Sequence, residues 1–130
     1  MDTKQVVTSF LQSGDEILLL RRSGKVGSYQ GRWATVSGYL EGHEDPLKRA
    51  RTEIKEELGL GAGDANFIRR GNVLRAFDEG VNTVWVVHPF LFKIEGQNLK
   101  LDWEHTEHRW IKPNELISFQ TVPKLKEAFD

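Results

Sequence analysis

The segment from Pro46 to Leu58 constrains the fold most, because its apolar residues recur at the period of an α-helix. At about 100° per residue these positions form one stripe on a helix surface. The stripe consists of Leu47, Ala50, Ile54 and Leu58. Asp45 at the N-cap and Pro46 at the first helical position are start signals, and Gly59 is a stop signal. We expect an amphipathic helix over 46–58 that buries this stripe against another layer.

Segments rich in β-branched and aromatic residues predict strands on both sides of this helix. Two of them, Val6–Leu11 and Ile17–Leu20, flank a turn at Ser13–Glu16. The others are Trp33–Val36, which ends at Ser37-Gly38, then Phe67–Leu74, Thr83–Phe92 and Arg109–Ile111. Pro89 has no N–H for a strand ladder, so we expect Thr83–Phe92 to lie at an edge or to carry a bulge.

The remaining segments complete a layered arrangement. Ser23–Arg32 contains three glycines and predicts a loop, whereas Pro113–Leu116 and Val122–Phe129 predict helices near the C-terminus. Strands mixed with one strong internal helix predict an α/β or α+β domain. A length of 130 residues fits one domain, which we expect to span residues 1–130.

The composition excludes several classes of protein. The chain has no cysteine, so disulfides, thiolate metal sites and cysteine nucleophiles are excluded. Its 18 basic and 19 acidic residues give a net charge of -1, which argues against nucleic acid as a partner. Its apolar stretches are shorter than the ~20 residues of a membrane helix, and no secretory signal pattern is visible. We expect a cytoplasmic protein that binds no membrane. The sequence leaves open whether it forms a homodimer.

The predicted helix also carries an acidic stripe. Glu53, Glu56 and Glu57 project within about 100° of arc, where like charges destabilise a helix by roughly 0.2–0.5 kcal/mol per pair. Glu41 and Glu44 precede the helix, and a glycine turn can fold them toward the same face. If the helix carried the only acidic residues of this region, a solvated acidic face would explain its three glutamates. Convergence of four or five carboxylates requires a cation, and oxygen ligands select a hard one such as Mg²⁺ or Mn²⁺.

These residues lie in a segment, Gly38–Leu60, that resembles the Nudix box. The box is G, five residues, E, seven residues, and then R-E-U-x-E-E-x-G-U, where U is aliphatic. Eight of its nine defined positions match: Gly38, Glu44, Glu53, Ile54, Glu56, Glu57, Gly59 and Leu60. Flanking segments that also look like the family are Leu18–Arg22, Gly31–Trp33, Glu104-His105 and Arg109–Ile111. The resemblance implies a Nudix-like α/β/α sandwich with a mixed sheet.

The resemblance also implies an activity and the residues for it. The activity is Mg²⁺-dependent hydrolysis of a diphosphate bond in a nucleoside diphosphate linked to another moiety, with Mn²⁺ as a substitute cation. The implied metal ligands are Glu56 and Glu57, with Glu53, the Gly38 carbonyl and Glu44 as further candidates. Glu53 is a ligand or the general base. Glu104, outside the box, is the alternative base.

One box position departs from the pattern, because Thr52 stands where the family has arginine. That arginine usually holds a box carboxylate in place. Arg49 lies one helical turn before Glu53, at i,i+4, and is a candidate replacement. Arg51 points toward the apolar side and is a poorer candidate.

Four residues outside the box are candidate substrate contacts. Arg22 and Arg32 flank the glycine-rich loop, and arginine suits bidentate contacts to phosphate oxygens. Phe77 and Trp103 lie in loop-like surroundings and are candidates for stacking on a base.

Other conspicuous residues have ordinary explanations. Trp33 and Trp85 fit sheet packing better than base stacking. His105 and His108 are spaced like metal ligands, but no second pair completes a zinc site.

The default substrate is a (deoxy)nucleoside triphosphate or a related nucleotide, since the residues that mark ADP-ribose and NADH hydrolases are missing. The alternative is a catalytically silent Nudix-like module that binds a nucleotide or a partner. Such modules normally lose box glutamates, whereas Glu53, Glu56 and Glu57 are all present. Both halves of the box pattern match at the correct spacing, which disfavours a purely structural protein with a solvated acidic face.

Overall fold

The computed structural model of the protein describes residues 2–97, 99, 101 and 103–130. Its strands are β1 (Asp2–Ser13), β2 (Glu16–Arg22), β3 (Trp33–Ala34), β4 (Val36–Tyr39), β5 (Ala65–Arg70), β6 (Leu74–Asp78), β7 (Thr83–Ile94) and β8 (His105–Ile111). Its α-helices are α1 (Pro46–Leu58) and α2 (Leu125–Phe129), and 3₁₀ turns span Glu79–Val81 and Pro113–Ser118. Within these ranges, neither helix has the length and apolarity to span a bilayer.

The strands form one mixed sheet that opens between β1 and β2. β1 and β7 run parallel along their shared length, and the other pairs of strands are antiparallel. β2 pairs with β1 only at Gln12↔Ile17 and Ser13↔Glu16, and then pairs with β8. In the space between the diverging strands, β3 pairs with β2 and β4 pairs with β1.

Each face of the sheet is covered by a different helix. Ile17 and Leu18 are adjacent in β2 but belong to separate apolar clusters, as the alternation of side chains along a strand requires. The α1 residues in one cluster are Ala50, Ile54 and Leu58, and the α2 residues in the other are Leu125 and Ala128. The sandwich of two helical layers around a mixed sheet is therefore confirmed.

Helix α1 has the bounds predicted from its apolar period and end signals. Gly59 adopts a φ of 72°, and its N–H donates to the Lys55 carbonyl at 2.9 Å. Leu60 packs against the apolar cluster that α1 contributes to. Asp45 occupies the N-cap with extended backbone, but its side chain makes no cap hydrogen bond. The start of the helix therefore depends on Pro46 and on backbone geometry.

Three predictions about the strands are wrong. Trp33–Val36 is not one strand, because β3 ends at Ala34 and pairs with β2, whereas β4 begins at Val36 and pairs with β1. Phe67–Leu74 is not one strand, because β5 ends at Arg70 and β6 begins at Leu74. Strand β7 is internal, so the edge that Pro89 predicted is wrong. The register shift in its pairing with β5 lies between Phe67 and Arg69, opposite Phe92 and Leu91 and not at Pro89 itself. The Pro89 carbonyl accepts from the Gly71 N–H at 2.9 Å, so this residue faces the interruption between β5 and β6. The missing N–H of proline is tolerated there because no ladder partner is required.

Several element ends also differ from the prediction. β1 begins at Asp2 and not at Val6, β7 ends at Ile94 and not at Phe92, and β8 begins at His105 and not at Arg109. β4 continues through Ser37 and Gly38 to Tyr39, where it pairs with Val6 of β1. Helix α2 begins at Leu125 and not at Val122, because Lys124 has a φ of 65° and interrupts the helical path.

Candidate active site

A cavity of about 220 Å³ lies beside the opening in the sheet. Strands β1, β4 and β7 line it, and both helical layers contribute to it: Glu53 from α1 and Leu125 from α2. Arg22, at the end of β2, and Glu104, just before β8, also line the cavity. The structure therefore brings both candidate bases and one candidate phosphate contact to a single cavity.

Glu53 reaches the cavity because Gly38 has no side chain. A Cβ placed on Gly38 would overlap the Glu53 carboxylate and the carbon next to it. The Glu53 side chain is 13 % exposed. The glycine that opens the box is thus required by close packing between β4 and α1.

The surroundings of Glu53 favour its protonated form. Burial, the largest cause, and the negative charge of Glu56 raise the pKa of Glu53 to about 7. Arg49 opposes this shift, whereas Glu104 adds to it. A carboxyl group with a pKa near neutrality is suited to general base chemistry at physiological pH.

Arg49 occupies the position between two box carboxylates. Its Nε and one Nη donate to Glu44 Oε2 at 3.0 and 2.6 Å, and its other Nη lies 3.7 Å from Glu53 Oε1. The hydrogen bond from Arg49 is the main cause of the lowered pKa of Glu44. Thr52 donates to the Lys48 carbonyl, and Arg51 donates to the Ala65 carbonyl. Arg49 therefore has the contacts that suit a replacement for the missing box arginine.

Glu56 and Glu57 have opposite exposures. Glu56 is exposed, whereas Glu57 is 1 % exposed and lies beside His105, which is also buried. His105 Nε2 lies 3.6 Å from Glu57 Oε1. The sequence predicted no special role for His105, and its contact with a box glutamate arises only because the fold brings the first residue of β8 next to α1.

The carboxylates near Glu53 offer only oxygen atoms as donors. In the described part of the chain, no three acidic or histidine side chains are arranged around one point as metal ligands. The carboxylates of Glu56 and Glu104 both raise the pKa of Glu53, so negative charge accumulates around that carboxylate. Oxygen donors in a negative potential are what Mg²⁺ and Mn²⁺ require. Nudix hydrolases generally use divalent metals.

The four predicted substrate contacts lie in different places. Arg22 lines the cavity, and its Nε donates to the Ser28 carbonyl at 2.9 Å. One Nη of Arg32 donates to the Thr121 carbonyl at 3.3 Å. Phe77 and Trp103 are 53 % and 62 % exposed. Arg32, Phe77 and Trp103 are not among the described residues that line the cavity, and their roles stay predictions.

Three aromatic residues form a wall of the cavity that sequence reasoning missed. They are Tyr29, Tyr39 and Trp85. The rings of Tyr39 and Trp85 are stacked at 6.2 Å, with an angle of 28° between their planes. Trp85 does pack in the sheet, as predicted, but it also faces the cavity. These residues come from separate loops and strands, so no local sequence pattern groups them.

Comparison with known proteins identifies the family. The NUDIX domain model matches residues 2–130. The nucleoside triphosphatase NudI of Escherichia coli O139:H28 is 23 % identical over 127 residues, covering 92 % of this chain and 89 % of that protein. The fold is similar to that of the MutT protein from Methanosarcina mazei Go1, with a TM-score of 0.78, 21 % identity, and coverage of 98 % of this chain and 91 % of the other.

A C. elegans Ap4A hydrolase has a TM-score of 0.78 and 19 % identity, covering 96 % of this chain and 91 % of its own. At these identities the solved structures support the fold alone, whereas the domain model covers nearly the whole chain. The protein therefore belongs to the Nudix family, whose members are pyrophosphohydrolases of nucleoside diphosphate derivatives.

Proposed function

We propose that this protein hydrolyses a diphosphate bond of a (deoxy)nucleoside triphosphate or a related nucleotide, with Mg²⁺ as its cation. The observation that carries the proposal is the position of Glu53, which lies in the cavity with Glu104 and is influenced by the charge of Glu56. The aromatic wall of the same cavity suits a nucleobase, and the Arg22 side chain suits a phosphate group. The name of NudI supports a triphosphate substrate.

Five groups are proposed to hold the cation. They are the carboxylates of Glu53, Glu56, Glu57 and Glu44, and the Gly38 carbonyl. Glu44 is the weakest candidate, since both of its oxygens already accept hydrogen bonds, one from the Glu41 N–H and one from Arg49. When bound, a divalent cation neutralises phosphate charge and polarises an attacking water.

The protein supplies a proton acceptor and contacts that orient the substrate. Glu53 accepts the proton of the attacking water, and Glu104 is the alternative acceptor. Arg22 contacts phosphate oxygens, and its bond to Ser28 limits the positions that its guanidinium can take. Tyr39 and Trp85 face the nucleobase of the substrate.

The test is a panel of ribo- and deoxyribonucleoside triphosphates incubated with Mg²⁺, with nucleotide products and released phosphate or pyrophosphate measured. We expect turnover of at least one triphosphate. Glu53→Gln should lower kcat by about 10²-fold or more, since a placed base contributes about 10²–10⁴-fold.

A second variant separates the two candidate bases. If Glu104 acts alone as the base, Glu104→Gln lowers kcat without changing the Mg²⁺ dependence, and Glu53→Gln keeps most of its activity. Binding of a nucleotide without turnover of any member of the panel would favour the catalytically silent module. The cytoplasmic location, the homodimer and the absence of a nucleic acid partner stay predictions from the sequence.

A further inference from the structure

One wall of the cavity is formed by the segment that connects β2 to β3, residues 23–32. Ser28 and Tyr29 from this segment line the cavity. Tyr29 has a φ of 50°, in the left-handed region that residues with side chains rarely adopt. Such a conformation persists only where the surroundings hold it in place.

The Tyr29 hydroxyl makes two hydrogen bonds that hold this segment to the sheet. It donates to Asp78 Oδ2 at 2.5 Å and accepts from Trp85 Nε1 at 2.9 Å. Asp78 ends β6 and Trp85 lies in β7, so the bonds cross from the loop to two strands. Burial and the bond to Asp78 raise the pKa of Tyr29 to about 12, so the hydroxyl keeps its proton at neutral pH. The bond from Tyr29 lowers the pKa of Asp78, which marks a charge-assisted bond.

The same segment is connected to a candidate phosphate contact. The Ser28 carbonyl, next to Tyr29, accepts from Arg22 Nε at 2.9 Å. The Arg32 guanidinium lies 5.9 Å from the centre of the Tyr29 ring. A movement of Tyr29 would therefore change the cavity wall and also the support of Arg22.

We propose that Tyr29 is a positioning residue whose bonds to Asp78 and Trp85 hold residues 23–32 as one wall of the substrate cavity and so set substrate affinity. The proposal rests on the proposed function. Without the hydroxyl, the segment also populates positions that do not enclose the substrate. The apparent dissociation constant is then the intrinsic one divided by the fraction of molecules in which the segment stays in place. Glu53, the proposed proton acceptor, lies on α1 outside the segment, so the chemical step is preserved. The Glu104 carbonyl accepts from the N–H of Ser23, at the start of the segment and six positions from Tyr29.

The experiment compares Tyr29→Phe, Asp78→Ala and Asp78→Asn in steady-state kinetics. Tyr29→Phe and Asp78→Ala should raise KM about tenfold with kcat within about threefold of wild type. Asp78 is not among the described residues that line the cavity, but its Oδ1 also accepts from the Gly80 N–H at 2.9 Å. The part of its effect that acts through Tyr29 is the part that is lost when Asp78→Ala is made in the Tyr29→Phe background. Asp78→Asn keeps one of the two acceptor oxygens and should retain more of the affinity than Asp78→Ala. The effects of Tyr29→Phe and Asp78→Ala should be non-additive when combined.

The matched control is Thr83→Val. It removes the hydrogen bond from Thr83 Oγ1 to the Val81 carbonyl, which lies in the same turn but does not involve Tyr29. Trypsin cleavage at Lys25, an exposed residue of the segment, is measured without nucleotide. Cleavage should accelerate about tenfold in Tyr29→Phe and stay at the wild-type rate in Thr83→Val.

The readouts separate this inference from the proposed function. The dissociation constant of a non-hydrolysable nucleoside triphosphate analogue is measured beside KM. If the wild type binds the analogue but hydrolyses no nucleotide, the proposed function fails. The ratio of the dissociation constants of Tyr29→Phe and the wild type then still tests the role of Tyr29. Unchanged affinity in Tyr29→Phe, or equal acceleration of cleavage in Thr83→Val, would overturn it.

Discussion

Three glutamates of one helix have three different environments. Glu56 is exposed, Glu57 is buried beside His105, and Glu53 lies between these extremes in the cavity. Glu53 is the one whose pKa rises to about 7, because it is partly buried and close to other carboxylates. The same residue type can therefore supply exposed charge, a buried carboxylate and a proton acceptor within two turns of α1.

The raised pKa of Glu53 predicts a pH dependence of stability without metal. Its pKa is 4.5 in an unfolded chain and about 7 in the folded protein, so the folded state favours the protonated form. The stabilisation is fully present below pH 4.5 and is lost as the pH rises through 7, with a maximum loss of about 3 kcal/mol. Urea unfolding in a chelator between pH 5 and 8 measures it. Glu53→Gln should flatten the profile relative to wild type, and parallel profiles would contradict the assignment.

At this scale, the sequence predicted contacts along one helix and missed contacts between elements. The i,i+4 spacing identified Arg49 as a cation near Glu53, and the structure places them 3.7 Å apart. The pairing of Glu57 with His105 joins residues 48 positions apart, and the bond from Tyr29 to Asp78 spans 49. Periodicity carries no information on such pairs, because they depend on how the strands are arranged.

At the scale of elements, the contact between α1 and β4 sets the position of Glu53. α1 follows from local signals that are all present in its own segment, and its predicted bounds are correct. β5, β6 and β7 were predicted less well, because the interruption opposite Pro89 depends on pairing between distant segments. An internal proline is accepted when its partner strand is interrupted, and the sequence of β7 alone does not show that.

Gly38→Ala tests the packing between α1 and β4. The added methyl group would occupy the place of the Glu53 carboxylate, which must move. We expect kcat to fall by about 10²-fold, since a displacement of about 1 Å has that effect on a catalytic group. Gly63→Ala is the matched control, because nothing lies within 4 Å of a Cβ at Gly63. Equal kcat values for the two variants would show that Gly38 does not determine the position of Glu53.

At the scale of the whole molecule, the opening of the sheet connects the two helical layers through one cavity. β1 and β2 diverge after a short pairing, and β4 brings Gly38 to the opening. Glu53 reaches the cavity from one layer, and Leu125 of α2 reaches it from the other. Glu53 of the acidic stripe thereby lies beside an aromatic wall built from other parts of the chain. The proposed site would hold a cation and a nucleotide together in this arrangement.

The most direct test of this account is the melting temperature of the protein with and without Mg²⁺. A cation that binds only the folded state at 100 times its dissociation constant stabilises by about 2.7 kcal/mol. We predict a rise in the wild type and in the control Glu79→Gln/Glu95→Gln, and no rise in Glu56→Gln/Glu57→Gln. A rise of the same size in Glu56→Gln/Glu57→Gln would contradict the account, because the cation would then bind elsewhere.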